Sequence, residues 1–166
     1  MKHEKDFTAI SGYLALFFII VFLVGSILAL IFIPPVTVKI VAGIVVLITV
    51  FCTGGLVIVN PNESSVLVLF GAYKGTIKEY GFWWVNPFFT RKKISLRARN
   101  FDSEPLKVND KIGNPVMIGV VLVWKVENTF KAAFDVDDYE HFVLIQSEAA
   151  IRKLAGQFAY DNLEDE

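Results

Sequence analysis

Histidine is the side chain most readily turned to proton transfer near neutral pH, and this chain of 166 residues carries two, His3 and His141. Neither has a second ligand at His-Glu-x-x-His spacing, so neither builds a metalloprotease-type centre. Cys52 is the one cysteine, and it lies inside an apolar run. A disulfide framework or a Cys-based metal site within the chain is therefore excluded. Packing as a small apolar side chain is its simplest role, with acylation as the alternative. Asp135, Asp137, Asp138 and Glu140 crowd together as cation ligands would. A solvated helix start favoured by the macrodipole accounts for them equally well. The stretch from Gly71 to Gly75 lacks the Gly-Lys-Ser/Thr ending of a phosphate loop. Asn62-Glu63-Ser64 matches a glycosylation sequon but abuts an apolar segment. No constellation for an enzyme emerges, and no cofactor or metal is implied.

Two patches carry more information. Phe82, Trp83, Trp84, Phe88 and Phe89 fall within eight positions. Adjacent residues of a strand point to opposite faces, so Trp83 and Trp84 cannot both enter one core. Aromatic rings anchor proteins at headgroup depth, and membrane contact is the expectation for this cluster, with ordinary packing as the alternative. Just beyond it, Arg91, Lys92, Lys93, Arg97 and Arg99 are expected to meet anionic headgroups, at about 1 kcal/mol each. A solvated strand face is the plainer account of the same charges.

The elements that must position these groups begin with the apolar first third. Of the whole chain 54% is hydrophobic, yet from Ser11 to Val59 the only Asp, Glu, Lys or Arg is Lys39. Residues 11–33 as a helix reach roughly 34 Å and residues 40–59 roughly 30 Å, each enough to cross a bilayer core. Pro34-Pro35 forces a turn between them. The first run is too long for a cleaved signal peptide, and Ile31-Phe32-Ile33-Pro34 is not a small-residue cleavage site. Lys2 and Lys5 before the first span, and Lys74 and Lys78 after the second, place both termini in the cytoplasm by the positive-inside rule, with residues 1–10 as a cytoplasmic tail. Neither span holds an intramembrane charge of the sort pumps and voltage sensors need. Gly12, Gly25, Gly43, Gly54 and Gly55 are candidates for close helix contact.

Residues 60–166 have ordinary globular composition with a near-neutral charge balance, which gives no reason to expect nucleic acid. Ser65–Phe70 and Phe82–Val85 read as strands bounded by glycines and by Asn86-Pro87. Lys93–Arg99 alternates, with Ile94 and Leu96 on one face. Leu106–Asn109 and Val116–Val126 flank Gly113-Asn114-Pro115 as a hairpin with a longer loop. Asn128 or Thr129 caps a short helix through Phe134, and Asp137 or Asp138 caps a longer one to about Ala155. On that helix Phe142, Ile145, Ala149 and Arg152 form one stripe, with Ile151, Leu154 and Phe158 widening it, so most of the helix is expected to be covered. The fold class is α+β: a two-helix transmembrane hairpin, then an antiparallel sheet with helices packed against it.

From Asn60-Pro-Asn-Glu-Ser-Ser-Val-Leu-Val-Leu-Phe-Gly71 onward the chain resembles the SPFH family, also called band 7, which includes stomatin, prohibitin and flotillin. The likeness continues through Gly81–Phe88, Ser95-Leu-Arg97, Leu106–Asp110, Gly113-Asn-Pro-Val116, Ala133–Tyr139 and Gln146–Arg152. It covers essentially all of residues 60–166. The resemblance implies a membrane-apposed α+β domain without enzymatic activity, a stomatin-like scaffold assembling as a homo-oligomer into rings that organise lipids and membrane proteins into microdomains. It also implies partners: the lipid bilayer, other copies of the chain, and a membrane protease or an NfeD-type membrane protein. A regulatory subunit of one dedicated membrane protease is the alternative function. Such relatives continue into a long helix that builds the ring, whereas this chain stops at Leu163-Glu-Asp-Glu166. The domain is accordingly expected to be C-terminally incomplete.

Overall fold

A computed structural model describes residues 4–159. The chain divides between Ser95 and Leu96 into two compact units.

The first unit opens with a short strand, β1 (Ile10–Ser11), which leads directly into helix α1 (Gly12–Phe32). Helix α2 (Val36–Thr53) follows, then β2 (Leu56–Val59), β3 (Glu63–Leu69), β4 (Ala72–Ile77), β5 (Gly81–Trp84) and β6 (Thr90–Ser95). Both helices are long and apolar enough to cross a membrane, with only 6% and 11% of their most apolar windows buried. A core helix of a soluble domain would be mostly covered, whereas these present Phe17, Phe18, Phe22, Ile31, Leu47 and Ile48 outward. Surface of that extent matches hydrocarbon as its solvent. The helices pack through small residues, with Ser26, Ala42 and Thr49 buried. Ser26 Oγ donates to Leu23 O at 3.0 Å and Thr49 Oγ1 to Val45 O at 2.7 Å, so neither hydroxyl is left unpaired in an apolar setting. Gly25 and Gly43 do not share in that contact: a Cβ on either would meet nothing within 4 Å.

The second helix is displaced from residues 40–59. Pro35 serves as its N-cap, where a missing N–H is harmless, so the helix starts at Val36 and takes Lys39 into its first turn. Gly54-Gly55 ends it six residues early, with Gly54 N donating to Phe51 O and Gly55 N to Cys52 O. The β-branched residues beyond the glycines prefer a pleated surface. Val57 and Val59 are accordingly buried in β2 while Ile58 faces outward.

Strand β5 is the centre of a three-stranded antiparallel sheet of order β1-β5-β2. Ile10 and Ser11 pair with Trp84 and Trp83 on one edge, and Leu56–Val59 pair with Trp84–Gly81 on the other. The strand entering α1 and the strand leaving α2 thus bond to the same partner. A second sheet has order β4-β3-β6, also antiparallel. Val57, Val59, Leu67, Ile77 and Val85 form the core between them, with Phe7, Ala9, Trp83 and Phe89 packed against it. Each such aliphatic side chain contributes about 1.5–3 kcal/mol of burial.

Of the expected cytoplasmic tail, residues 4–9 pack into this unit. Phe7 N donates to Thr76 O and Thr76 N to Lys5 O, adding an edge to β4. Gly75 makes the room, since a Cβ there would lie 2.8 Å from Phe7 Cβ. Lys78 Nζ stands 2.9 Å from Glu4 Oε2, and its hydrogen bond to Glu4 raises the lysine pKa. The β3–β4 turn is less regular. Its two loop residues, Phe70 and Gly71, both have positive φ, +48° and +80°. Glycine takes that conformation freely, whereas a bulky side chain there costs about 1–2 kcal/mol.

The second unit contains β7 (Arg99–Asp102), β8 (Leu106–Asn109), β9 (Pro115–Ile118), β10 (Val121–Trp124), α3 (Thr129–Phe134) and α4 (Tyr139–Ala155). Strands pair as β8-β9 and β7-β10, both antiparallel. Asp110 shapes the β8–β9 loop: its Oδ1 accepts from the amides of Ile112, Gly113 and Asn114 at 2.7–2.9 Å. The strand expected over Lys93–Arg99 is broken at Leu96–Ala98, and the one expected over Val116–Val126 is broken at Gly119-Val120. Even so, the alternation of the latter persists across the break, with every even residue from Val116 to Val126 half-buried and every odd one exposed. Asn128 caps α3 by accepting from Lys131 N, and Asp138 caps α4 by accepting from Glu140 N and His141 N. The covered face of α4 is not the expected stripe. Ile151 and Ala155 are buried, whereas Phe142 and Ile145 are each 48% exposed and Leu154 is 59% exposed. A single helix resting on β8 covers one face only, and the apolar residues outnumber the places on that face.

Candidate functional site

The aromatic segment is where the two apolar helices join their domain. Strand alternation sends Phe82 and Trp84 one way and Trp83 the other. Phe82 packs edge-to-face on Tyr13, with ring centroids 5.3 Å apart, and lies over Gly12, where a Cβ would approach its ring to 2.7 Å. Trp84 lines an apolar groove with Leu14 and Phe18 of α1 and with Ile48 and Cys52 of α2. Its indole Nε1 donates to Cys52 O at 3.0 Å, a second donor to a carbonyl in the last turn of α2 that also accepts from Gly55 N. Gly55 permits this approach, since a Cβ there would sit 2.3 Å from Val85 O and 2.6 Å from Trp84 Nε1.

Trp83 faces the core cluster instead, and its Nε1 donates to Glu79 O at 3.0 Å. Phe89 joins it there, edge-on to Phe7 at 5.7 Å. Phe88 goes outward, 57% exposed, with its ring 5.1 Å from that of Phe51 near the end of α2. The five aromatics therefore divide: Phe82, Trp84 and Phe88 meet the helix ends, and Trp83 and Phe89 meet the core.

The five basic residues are not one surface either. Arg91 bends back to the end of α2, Nη1 donating to Leu56 O at 3.0 Å and Nη2 to Gly54 O. Gly54 is the C-cap of α2, where a guanidinium complements the helix dipole, and Leu56 opens β2. Partial burial lowers the Arg91 pKa, and its Nε is buried without a protein partner. Lys93 lies 3.9 Å from Glu63, while Lys92 projects from the opposite face of the same strand. Arg97 and Arg99 belong to the second unit, where Arg99 is ion-paired with Glu140 and stands 5.8 Å from the ring centroids of Trp124 and Tyr139. Sequence spacing gives no sign of the Arg91 clamp, because its acceptors lie 35 and 37 positions away. Arg91→Met is expected to destabilise the first unit by about 2 kcal/mol. Arg91→Lys, which cannot span both carbonyls, should recover only part of that. Thermal melts of the detergent-solubilised chain check it, and an unchanged melt in both variants would contradict the clamp.

Asp138 is engaged as a helix cap, and among the described residues no group of three or more His, Cys, Asp or Glu is placed to hold a metal. Hydrogen bonds and ring contacts join the helix ends to β5.

Comparison with known proteins adds the lineage. The family model described as SPFH domain / Band 7 family matches residues 57–166, beginning at the second residue of β2. An uncharacterized protein of Methanothermobacter thermautotrophicus is 27% identical over 119 residues, 71% of this chain and 37% of its own length. An uncharacterized protein of Methanocaldococcus jannaschii is 27% identical over 109 residues, 65% of this chain and 54% of its own. The chain thus matches between about a third and a half of the length of these relatives. With a family match that starts where the second apolar helix hands over to the sheet and runs to the last residue, the chain belongs to the SPFH, or band 7, family of membrane scaffolds.

Proposed function

We propose that this protein is a membrane-anchored SPFH scaffold that assembles with copies of itself into closed rings organising lipids and membrane proteins, without chemistry of its own. The observation that carries the reading is the double attachment to β5: the strand before α1 and the strand after α2 both hydrogen-bond to it. A domain tethered by one flexible linker could tumble above a bilayer. Here both ends of a helical hairpin are built into the sheet, so the anchor and the sheets of the first unit move together. That coupling suits a protein whose task is to hold a fixed place in a membrane array. The same attachment supports a hairpin with the N-terminal segment and the domain on one side, and lysines on that side favour the cytoplasm.

Topology is tested with Thr37→Cys in a Cys52→Ala background. Position 37 lies in the first turn of α2, and an impermeant maleimide added outside intact cells should label it. Lys74→Cys should stay protected until the cells are opened. The reverse pattern would overturn the orientation. Affinity purification from membranes tests the scaffold reading. A heterogeneous set of membrane proteins with lipid supports it, whereas one stoichiometric protease would replace it with a dedicated protease subunit. An NfeD-type partner is compatible with the scaffold.

A further inference from the structure

One aromatic stands outside the cluster already described. Phe70 occupies the tip of the β3–β4 hairpin and is 86% exposed, the most exposed of the large apolar side chains among the described residues. With Gly71 it makes the two-residue loop between the paired residues Leu69 and Ala72. Turns with positive φ at both central residues favour Asn, Asp or Gly at the first of them. A phenylalanine there works against the turn, and it adds nothing to the core cluster. Its surroundings point elsewhere. The Phe70 ring lies 6.0 Å from that of Phe88, which lies 5.1 Å from that of Phe51. Phe51 is 50% exposed and sits in the last turn of α2, one of the two membrane-length helices. The three rings form a continuous outward-facing path from that helix to the hairpin tip.

We propose that the β3–β4 tip is a membrane wedge, with Phe70 entering the interfacial layer of the leaflet in which α2 ends and Phe88 bridging the two. The occupant of the patch is the lipid bilayer, because the patch is continuous with the apolar surface of α2. A ring at a hairpin tip also suits the headgroup–acyl boundary, where aromatic side chains concentrate. Lys74, exposed on the strand that leaves the tip, has the reach to meet headgroups while the ring points inward. The inference rests on the membrane reading above and adds a third point of contact to its two spans.

The test uses the full chain reconstituted in phosphatidylcholine vesicles, carrying Phe70→Trp, with the unsubstituted chain supplying the background of its three tryptophans. The added emission should be blue-shifted, quenched by lipids brominated high on the acyl chain, and untouched by aqueous iodide. Flotation of the same vesicles reports separately whether the spans are inserted. A floating chain whose added emission is red and iodide-quenched overturns the wedge and leaves the anchor intact. Added emission that is blue but unquenched by either agent places the ring against protein, and overturns it too. A chain that does not float overturns both readings. Phe88→Trp serves as a second reporter should the tip variant fail to fold, with the same outcomes deciding.

Discussion

Gly55→Ala is expected to lower the melting temperature of the detergent-solubilised chain by about 8 °C, following a destabilisation of about 3 kcal/mol. The added methyl would lie 2.3 Å from the Val85 carbonyl oxygen and within 3 Å of the Trp84 indole. Neither neighbour can step aside cheaply. Val85 is 2% exposed, its amide donates to Gly55 O at 2.9 Å, and the indole is held by Cys52 O. Gly55 is not among the residues with positive φ, so the effect comes from space alone. Gly43→Ala supplies the control. Its methyl meets nothing within 4 Å, and alanine is the better helix former by about 1 kcal/mol. The two variants should therefore move the melt in opposite directions. Equal effects would mean that the close approach of α2's end to β5 does not exist in the membrane-solubilised protein.

Trp83→Ala should be nearly as damaging, at about 3 kcal/mol, for a reason unrelated to lipid. Its ring covers the core cluster of Val57, Val59, Leu67, Ile77 and Val85 and reaches back over Gly81, which carries no side chain to block it. Truncation removes that cover and frees the Glu79 carbonyl. Trp84→Phe keeps an aromatic ring in the helix groove and loses only the bond to Cys52 O, so about 1 kcal/mol is expected. Near-ultraviolet circular dichroism through a melt reads both. A folded signal for Trp83→Ala at wild-type temperature, combined with weaker retention on vesicles, would show that this tryptophan serves the membrane and not the core.

Composition and local pattern are enough to give the class of the protein and the kinds of element it contains. Two apolar runs separated by Pro34-Pro35 leave few alternatives to a helical pair, because their composition makes water a poor solvent for either. The helix starts were legible to within one residue, Asn128 or Thr129 and Asp137 or Asp138, because a cap is a local device: the side chain that accepts sits two or three residues from the amide that donates. Alternation from Val116 to Val126 was legible for the same reason, although the position of the break was not. How the aromatic and basic groups divide is set by the packed fold. Whether Trp83 or Trp84 faces the core depends on what packs on each face of β5, and the fold lays the core cluster on one face and the ends of α1 and α2 on the other. Arg91 reads as one more charge on a basic strand until the fold returns it to carbonyls 35 and 37 positions earlier. Caps and periodicity are properties of neighbouring residues, whereas burial, clamps and junctions depend on long-range packing and pairing, which periodicity does not encode.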